Sequence, residues 1–191
     1  MAGILDHLTV VPVPPGFQPG GFDCGHEDMS NYLCDGTALR DEANSVTRTF
    51  LVRVGTDLIG YFSVLSDAIQ LATKERPPGT NYSSAPALKL GRMGVDVRYR
   101  GKDVGIWILD YVVGLARSLA KDIGVRYVTL DALPEDRLVN WYTEYGFVQN
   151  HGEERRRRIV RHVLQGIGLD VDLPHVSMRF DIVLRAEVPT A

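Results

Sequence analysis

Hydrophobic and β-branched residues alternate with polar ones in short runs along the first third of the chain. The runs Leu8–Pro14, Thr47–Val54 and Leu58–Ser66 predict strands, and the turn residues Gly55–Asp57 join the last two in a hairpin. Between the first two strands, apolar positions at helical spacing predict a single helix over His26–Leu39. The chain is therefore predicted to begin as a strand, a helix and a hairpin.

The remaining chain alternates strands with helices. The stretch Thr73–Pro86 is rich in Pro, Gly and Ser and predicts a loop, and Ala87–Asp96 predicts a strand. After the segment Arg100–Gly105, apolar residues fall on one face of a strongly amphipathic helix. The later predicted elements are a strand, a helix closed by a glycine, a basic amphipathic helix and a final strand: Arg126–Ala132, Pro134–Gly146, residues 152–168 and Val176–Leu184.

Composition narrows the class of protein. The chain has 191 residues, of which 45% are hydrophobic and 24% charged, as in ordinary soluble proteins. We expect one compact domain over residues 1–191, located in the cytoplasm, because no secretory leader or membrane-length apolar run is present. Cys24 and Cys34 are interpreted as buried free thiols, and the five histidines lack metal-ligand spacing, so we expect no metal site.

Charge is unevenly distributed along the chain. The net charge is −3, yet the segment His151–Gln165 holds five arginines against two glutamates. Such a segment can bind nucleic-acid phosphates or an acidic protein segment, or it can form a solvated face over an apolar stripe. The arginines concerned are Arg155, Arg156, Arg157, Arg158 and Arg161.

The most informative local pattern is the junction between the strand Ala87–Asp96 and the amphipathic helix that follows it. The connecting segment Arg100–Gly105 aims successive backbone N–H groups and the positive end of the helix at one point, which predicts an anion site. It fits neither the dinucleotide fingerprint nor the P-loop pattern. Gly91 and Gly94 in the strand suggest a bulge or a close approach of a ligand to the backbone.

This order of elements resembles the GCN5-related N-acetyltransferases. The phosphate loop of that family reads Arg or Gln, two variable residues, Gly, one variable residue, then Gly or Ala. Arg100 and Gly105 match it, whereas Asp103 replaces the first glycine. A second signature, an aromatic–Tyr pair followed by Gly–Phe, matches the segment Asn140–Phe147. The resemblance implies an α/β (α+β) fold with a mixed, mostly antiparallel sheet of about six to seven strands, splayed at the fourth and fifth strands and flanked by helices.

Three segments are similar to the toxin branch of that family, from bacterial toxin–antitoxin pairs. They are FDCG at Phe22–Gly25, SVTRTFLV at Ser45–Val52 and LGRMGVDVRYRGKDVG at Leu90–Gly105. The resemblance implies acetyl transfer from acetyl-CoA to the α-amino group of aminoacyl-tRNA, with a protein antitoxin as a partner. A homodimer is expected because dimers are common among such proteins.

The resemblance also implies roles for individual residues. Tyr142 matches the general acid that protonates the CoA thiolate, and a phenol with a pKa near 10 is suited to that step. Asp103 brings a carboxylate close to the expected diphosphate, although an Asp also suits a helix start, so we expect binding to be retained. The implied acetyl-CoA-binding residues are Met93, Gly94, Val95, Arg100, Gly101, Lys102, Asp103, Val104, Gly105 and Asn140.

The sequence contains no obvious general base. Asp96, Asp131 and Glu135 lie near predicted strand ends, and each is interpreted as a solvated acid. An α-amine, with a pKa of about 8, needs no strong base, so an α-amine acceptor is favoured. Two alternatives stay open: an enzyme that acetylates a small amine or a protein N-terminus, and a non-catalytic acyl-CoA sensor or interaction module in which Asp103 has impaired the loop. The partner of the arginine segment also stays open: the segment can contact tRNA, an antitoxin, the 3′-phosphate of CoA or solvent.

Overall fold

The computed structural model describes residues 3–150, 163 and 175–183. Its described strands are β1 (Thr9–Pro12), β2 (Arg48–Val54), β3 (Asp57–Gln70), β4 (Ser84–Val95), β5 (Tyr127–Ala132), β6 (Val148–Gln149) and β7 (Val176–Asp181). Its described helices are α1 (Glu27–Cys34), α2 (Thr37–Ala43), α3 (Val104–Leu119) and α4 (Asp136–Tyr145). No helix in this described part of the chain is long and apolar enough to cross a membrane.

The described strands form one seven-stranded sheet in the order β1-β2-β3-β4-β5-β7-β6. The pairs β1–β2, β2–β3, β5–β7 and β6–β7 are antiparallel. The pair β4–β5 is parallel and splayed, and α3 makes the crossover that a parallel pair requires. The predicted fold class, a mixed and mostly antiparallel sheet flanked by helices, is confirmed.

The described chain divides into two compact units. The first comprises the described residues up to Leu65 together with Leu90–Leu115. Its core is aromatic: Tyr61 makes an edge contact with Phe22 at 5.6 Å between ring centroids and stacks on Tyr32 at 5.9 Å. Because aromatic pairs of this kind contribute about 0.5–1.5 kcal/mol beyond their buried area, they fix α1 on this face of the sheet.

The second unit comprises Ser66–Lys89 and the described residues from Ala116 onward. Its strands β5 and β7 pair in register from Tyr127 opposite Asp181 to Ala132 opposite Val176. The rings of Tyr145, Phe147 and Phe180 lie 5.5–5.9 Å apart and form its aromatic core. The last turn of α4 therefore packs against this aromatic cluster.

The single helix predicted over His26–Leu39 is wrong, because the structure has two helices there. Gly36 adopts a left-handed backbone with φ of 80° between α1 and α2, which ends one helix and begins the next. The predicted loop Thr73–Pro86 is also too long, since β4 already begins at Ser84 and a short 3-10 turn occupies Thr73–Glu75. The basic helix predicted over residues 152–168 lies outside the described residues, apart from Val163.

Candidate functional site

Strand β4 contains a bulge just before Met93. A Cβ atom on Gly91 would meet Leu65 and Ser63 of β3, and one on Gly94 would meet Tyr61 of β3 at 2.8 Å. Tyr61, Ser63 and Leu65 share one face of β3, whereas positions three apart in a regular strand face opposite ways. One extra residue between Gly91 and Gly94 therefore interrupts the alternation, as in a β-bulge.

Gly60 and Gly94 permit a close approach of β3 to β4 at the end of the strand. A Cβ atom on Gly60 would lie 2.7 Å from the Gly94 carbonyl oxygen, a distance at which the backbone would have to move. A Cβ on Gly94 would also press on Cys24, at 3.2 Å from its Cβ. Both glycines are thus required by packing within the protein, independently of any ligand.

The segment between β4 and α3 leads into a helix start whose first backbone N–H groups have no acceptor within the helix. The first intrahelical hydrogen bond of α3 runs from the Trp107 N–H to the Asp103 carbonyl at 3.0 Å. The N–H groups of Val104, Gly105 and Ile106 precede that bond and have no acceptor in their own helix. Together with the exposed side chains of Arg100 and Lys102, they form a cationic turn at a helix N-terminus that fits a phosphate group.

Arg100 ties the turn to the segment Phe22–Gly25. Its guanidinium donates a hydrogen bond to the Cys24 carbonyl, and the Val97 N–H donates to the Asp23 carbonyl at 2.9 Å. Gly25 has a left-handed φ of 71°, and a Cβ there would overlap the Arg100 guanidinium. Two segments that carry the family resemblance, far apart in sequence, therefore contact each other directly.

Asp103 adopts a left-handed backbone with φ of 57°. This conformation costs a non-glycine residue about 1–2 kcal/mol, although Asp and Asn tolerate it best. Asp103 stands directly before α3, as expected for an Asp at a helix start, but its left-handed backbone differs from the extended backbone of an ordinary N-cap residue. The left-handed φ also explains why a glycine suits this position of the loop. The Asp103 side chain is exposed.

None of the three carboxylates considered as a general base shows the features of one. Asp96 is buried and accepts a bidentate pair of hydrogen bonds from the Arg98 guanidinium, both of 2.8 Å. This hydrogen bonding holds the pKa of Asp96 below its ordinary value. Asp131 forms an ion pair with Lys89 at 2.6 Å, and Glu135 is exposed. Asp96 is thus a buried carboxylate that forms an ion pair with the exposed Arg98, and its interpretation as a solvated acid is wrong.

Tyr142 lies on α4 in the second unit and is 7% exposed. Its ring makes edge contacts with Trp141, at 4.9 Å between centroids, and with Phe147, at 5.7 Å. No other described residue forms a hydrogen bond with its hydroxyl group. Burial raises the pKa of Tyr142 above its ordinary value of 10, so the hydroxyl keeps its proton throughout the physiological range.

The other predicted residues are placed as follows. Asn140 is exposed on α4, two positions before Tyr142. Met93 and Val95 are half-buried on β4, and Gly101 has a left-handed φ of 70°. Arg155, Arg156, Arg157, Arg158 and Arg161 lie outside the described residues. The described part of the chain contains no cluster of three His, Cys, Asp or Glu side chains that could hold a metal ion.

The two cysteines differ in environment. Both are free thiols, but only Cys24 is buried, whereas Cys34 is exposed. The interpretation of both as buried is therefore wrong for Cys34, the last residue of α1. Cys24 packs beneath the turn described above, where its sulfur lies 3.4 Å from the Ser30 hydroxyl.

Sequence reasoning missed Arg92. It lies within the bulge of β4, and its guanidinium stacks on the Tyr32 ring at 4.7 Å from the centroid. Its Nη1 lies 3.8 Å from the Met29 sulfur, and it forms no ion pair with another described residue. Alternation places Arg92 on the same face of β4 as Gly94, but the sequence gave no sign that its guanidinium would stack on Tyr32.

Comparison of sequences identifies a relative among bacterial toxins. The chain is 29% identical over 145 residues to the probable toxin TacT of Sinorhizobium fredii, a match that covers 66% of this chain and 75% of the relative. No protein-family model matches the chain.

Comparison of structures finds the same fold in solved proteins that include a bacterial toxin. The chain resembles the toxin AtaT complexed with acetyl-methionyl-tRNAfMet, with a TM-score of 0.74, 16% identity and coverage of 94% of this chain and 97% of that one. A tyrosine-to-phenylalanine mutant of AtaT, bound to the C-terminus of the antitoxin AtaR and acetyl-CoA, has a TM-score of 0.69, 17% identity and coverage of 96% and 100%.

A tyrosine-to-phenylalanine mutant of the toxin KacT has a TM-score of 0.73 with 18% identity, covering 95% of this chain and 98% of that one. Together with the sequence match, these likenesses confirm the fold and the resemblance predicted from the motifs.

Proposed function

We propose that this chain, which has the fold of the GCN5-related N-acetyltransferases, transfers an acetyl group from acetyl-CoA to a primary amine. The observation that carries the proposal is the cationic turn before α3, which follows directly on the bulged end of β4. The N–H groups of Val104, Gly105 and Ile106, with Arg100 and Lys102 beside them, fit the diphosphate of CoA. The toxin AtaT, which shares this fold, has been solved with acetyl-CoA.

The resemblance gives separate tasks to β4 and to α4. Acetyl-CoA supplies the acetyl group as an activated thioester. Backbone N–H groups of Met93, Gly94 and Val95 would donate to the thioester oxygen as negative charge develops on it. Tyr142 would give its proton to the departing thiolate. Asn140 would contact the cofactor arm.

The acceptor proposed is the α-amino group of aminoacyl-tRNA. An α-amine with a pKa of about 8 is partly neutral at pH 7 and needs no strong base, whereas a lysine amine near 10.4 does. The structure supports an α-amine because Asp96 and Asp131 are engaged with Arg98 and Lys89. The complex of AtaT with acetyl-methionyl-tRNAfMet supports the tRNA.

We further propose the cellular setting that such an activity requires. The protein acts in the cytoplasm as a translation-inhibiting toxin, and a protein antitoxin restrains it, as the complex of AtaT with the C-terminus of AtaR suggests. Residues 1–191 form a single N-acetyltransferase domain with an inserted basic helix, and two copies form a homodimer. The arginines of that helix contact tRNA or the antitoxin.

The decisive experiment measures CoA release from acetyl-CoA in the presence of aminoacylated tRNA, with deacylated tRNA as the matched control. We expect release with the aminoacylated tRNA alone and recovery of N-acetyl-aminoacyl-tRNA. Release of CoA with small amines or peptide N-termini, but not with aminoacyl-tRNA, would show that those amines are the acceptors. If no acceptor supports release, the acyl-CoA sensor becomes the better description.

A thermal shift separates the sensor from a chain that binds no acyl-CoA. Acetyl-CoA at 100 times its Kd should stabilise the folded state by about 2.7 kcal/mol. We expect a clear rise in Tm with acetyl-CoA and none with adenosine. An unchanged Tm would contradict cofactor binding and with it the whole proposal.

A further inference from the structure

Arg92 is a half-buried cation whose hydrogen-bonding capacity is largely unused. A guanidinium has five N–H donors, and the only acceptor for Arg92 within the described residues is the Met29 sulfur, at 3.8 Å. The other arginines of the first unit contact oxygen acceptors: Arg48 pairs with Glu42 at 2.8 Å, and Arg98 pairs with Asp96. Arg92 therefore has the charge and the free donors of an anion-binding residue.

The Arg92 side chain is held ready by an aromatic stack. Its guanidinium lies over the Tyr32 ring, which itself stacks on Tyr61. The Tyr32 hydroxyl shares a hydrogen bond of 3.0 Å with the Thr47 hydroxyl, and the Tyr61 hydroxyl donates to the Met29 carbonyl at 2.5 Å. Because the ring beneath it is fixed, the planar guanidinium is oriented before any ligand arrives.

A second unpaired polar group lies on the same face. The Ser63 hydroxyl is fully buried and has no hydrogen-bond partner among the described residues. It lies 3.2 Å from a Cβ built on Gly91, the neighbour of Arg92, and Gly91 is exposed to solvent. Buried hydroxyls are normally hydrogen-bonded, so this face of the bulge is polar and incompletely satisfied.

The position of Arg92 relates it to the proposed acceptor. At about 3.3 Å per residue, its Cα lies only about two residue steps along β4 from Gly94, where the acetyl group is proposed to react. In an aminoacyl-tRNA the amino acid carboxyl is esterified, so the anions nearest the reacting amine are the phosphodiesters of the 3′ end. A guanidinium is well suited to bind a phosphate through two parallel hydrogen bonds.

We propose that Arg92, positioned by Tyr32, binds a phosphodiester next to the terminal nucleoside of the acceptor and so selects aminoacyl-tRNA over small amines. The inference rests on the proposed function, because it names the contact by which that acceptor is recognised. Arg92 binds and orients the acceptor and takes no proton. Tyr32 is a positioning residue.

Two acceptors that differ by one phosphodiester test the proposal. Puromycin is an aminoacyl-nucleoside with a free α-amine and no phosphate, and cytidylyl-puromycin adds a single phosphodiester. We expect the wild-type protein to acetylate cytidylyl-puromycin with the higher kcat/KM. The Arg92→Gln variant should lower kcat/KM for cytidylyl-puromycin by about tenfold or more and leave puromycin unchanged.

Two further variants sharpen the result. Arg48→Gln removes the same charge from an exposed arginine that already has a carboxylate partner, so it should leave the ratio between the two acceptors unchanged. Arg92→Lys keeps the charge but loses the planar fork, so it should recover only part of the preference, mainly through a raised KM. Acetyl-CoA binding, measured by calorimetry, should be the same in all four proteins.

Several outcomes would overturn the proposal. Equal losses for both acceptors in Arg92→Gln would make Arg92 structural, and unchanged activity for both would make it irrelevant. A raised KM for free amino acids alone would assign Arg92 to a carboxylate instead. If the wild-type protein acetylates neither analogue and also fails to acetylate aminoacyl-tRNA, the proposed function fails separately. In that case calorimetry tests the role of Arg92 by binding alone. Equal affinity of the wild-type protein for puromycin and cytidylyl-puromycin would refute the phosphodiester contact.

Discussion

Single residues in this protein are constrained in ways that their neighbours in sequence do not reveal. Asp103 occupies a left-handed backbone position that a glycine would fill without strain, and it places a carboxylate in a turn with Arg100 and Lys102. The motif could be recognised from the sequence because Arg100 and Gly105 have the expected spacing. The left-handed φ of Asp103 could not be predicted from the sequence, since the type of a residue does not fix its backbone conformation.

Two substitutions of Asp103 distinguish the effect of its charge from the effect of its backbone strain. We expect Asp103→Asn to tighten acetyl-CoA binding because it removes a negative charge while keeping tolerance of the left-handed backbone. Asp103→Gly should bind at least as tightly and also raise Tm. Calorimetry gives the Kd values, and loss of binding in both variants would contradict the expectation.

A second prediction about a single residue concerns the hydroxyl group of Tyr142. We expect Tyr142→Phe to lower kcat by about a hundredfold or more with little change in acetyl-CoA Kd, because only the proton donor is removed. Since burial raises the pKa of Tyr142, loss of this proton should not limit the wild-type rate at any pH up to about 10. Tyr145→Phe, a buried tyrosine of the same helix, is the control and should keep the wild-type rate.

At the scale of elements, regular patterns were predicted well and irregular ones were not. The β2–β3 hairpin, α3 and α4 follow from periodicity and from their bounding turns, as the glycine at 146, with φ of 119°, shows for α4. The break between α1 and α2 at Gly36 was missed because apolar spacing continues across it. β6 has only two residues, too few to give a pattern.

The ion pair between Asp96 and Arg98, directly after β4, predicts that the stability of the fold depends on pH. The Asp96 pKa is lowered in the folded state, so its stabilising effect is present above the unfolded pKa of about 4 and is lost as pH falls below it. We expect Asp96→Asn to lower Tm at pH 7. The Tm difference from wild type should shrink as pH approaches 3, and a constant difference would contradict the assignment.

At the scale of the whole molecule, sequence motifs specified the fold class and the cationic turn before α3, whereas the proposed contact of Arg92 with the acceptor depends on packing within the first unit. The resemblance located the residues from Met93 to Gly105 but gave no role to Arg92, Tyr32 or Ser63. Those residues come together only when β3, β4 and α1 are packed. The two glycines of β4 suggested a bulge, but the hydrophobic pattern gave no sign that Arg92 would stack on Tyr32.

The uneven charge of the chain predicts a salt-dependent activity. If the arginines Arg155–Arg158 contact tRNA, replacing all four by Gln should raise the KM for aminoacyl-tRNA and flatten its dependence on salt, by just under one unit of log–log slope for each lost phosphate contact. Puromycin, which carries no phosphate, should be acetylated as before. An unchanged salt dependence would assign these arginines to another partner or to solvent.

The bulge of β4 also bears on how the chain tolerates changes in length. Because Arg92 is in effect one inserted position, a chain that lacked it would run as a regular strand with Gly91 and Gly94 still facing Tyr61 and Ser63. We therefore expect a deletion of Arg92 to fold, although deletions within strands usually reverse every later side chain. A one-residue insertion is thus enough to add a new side chain to this face without displacing the residues around it.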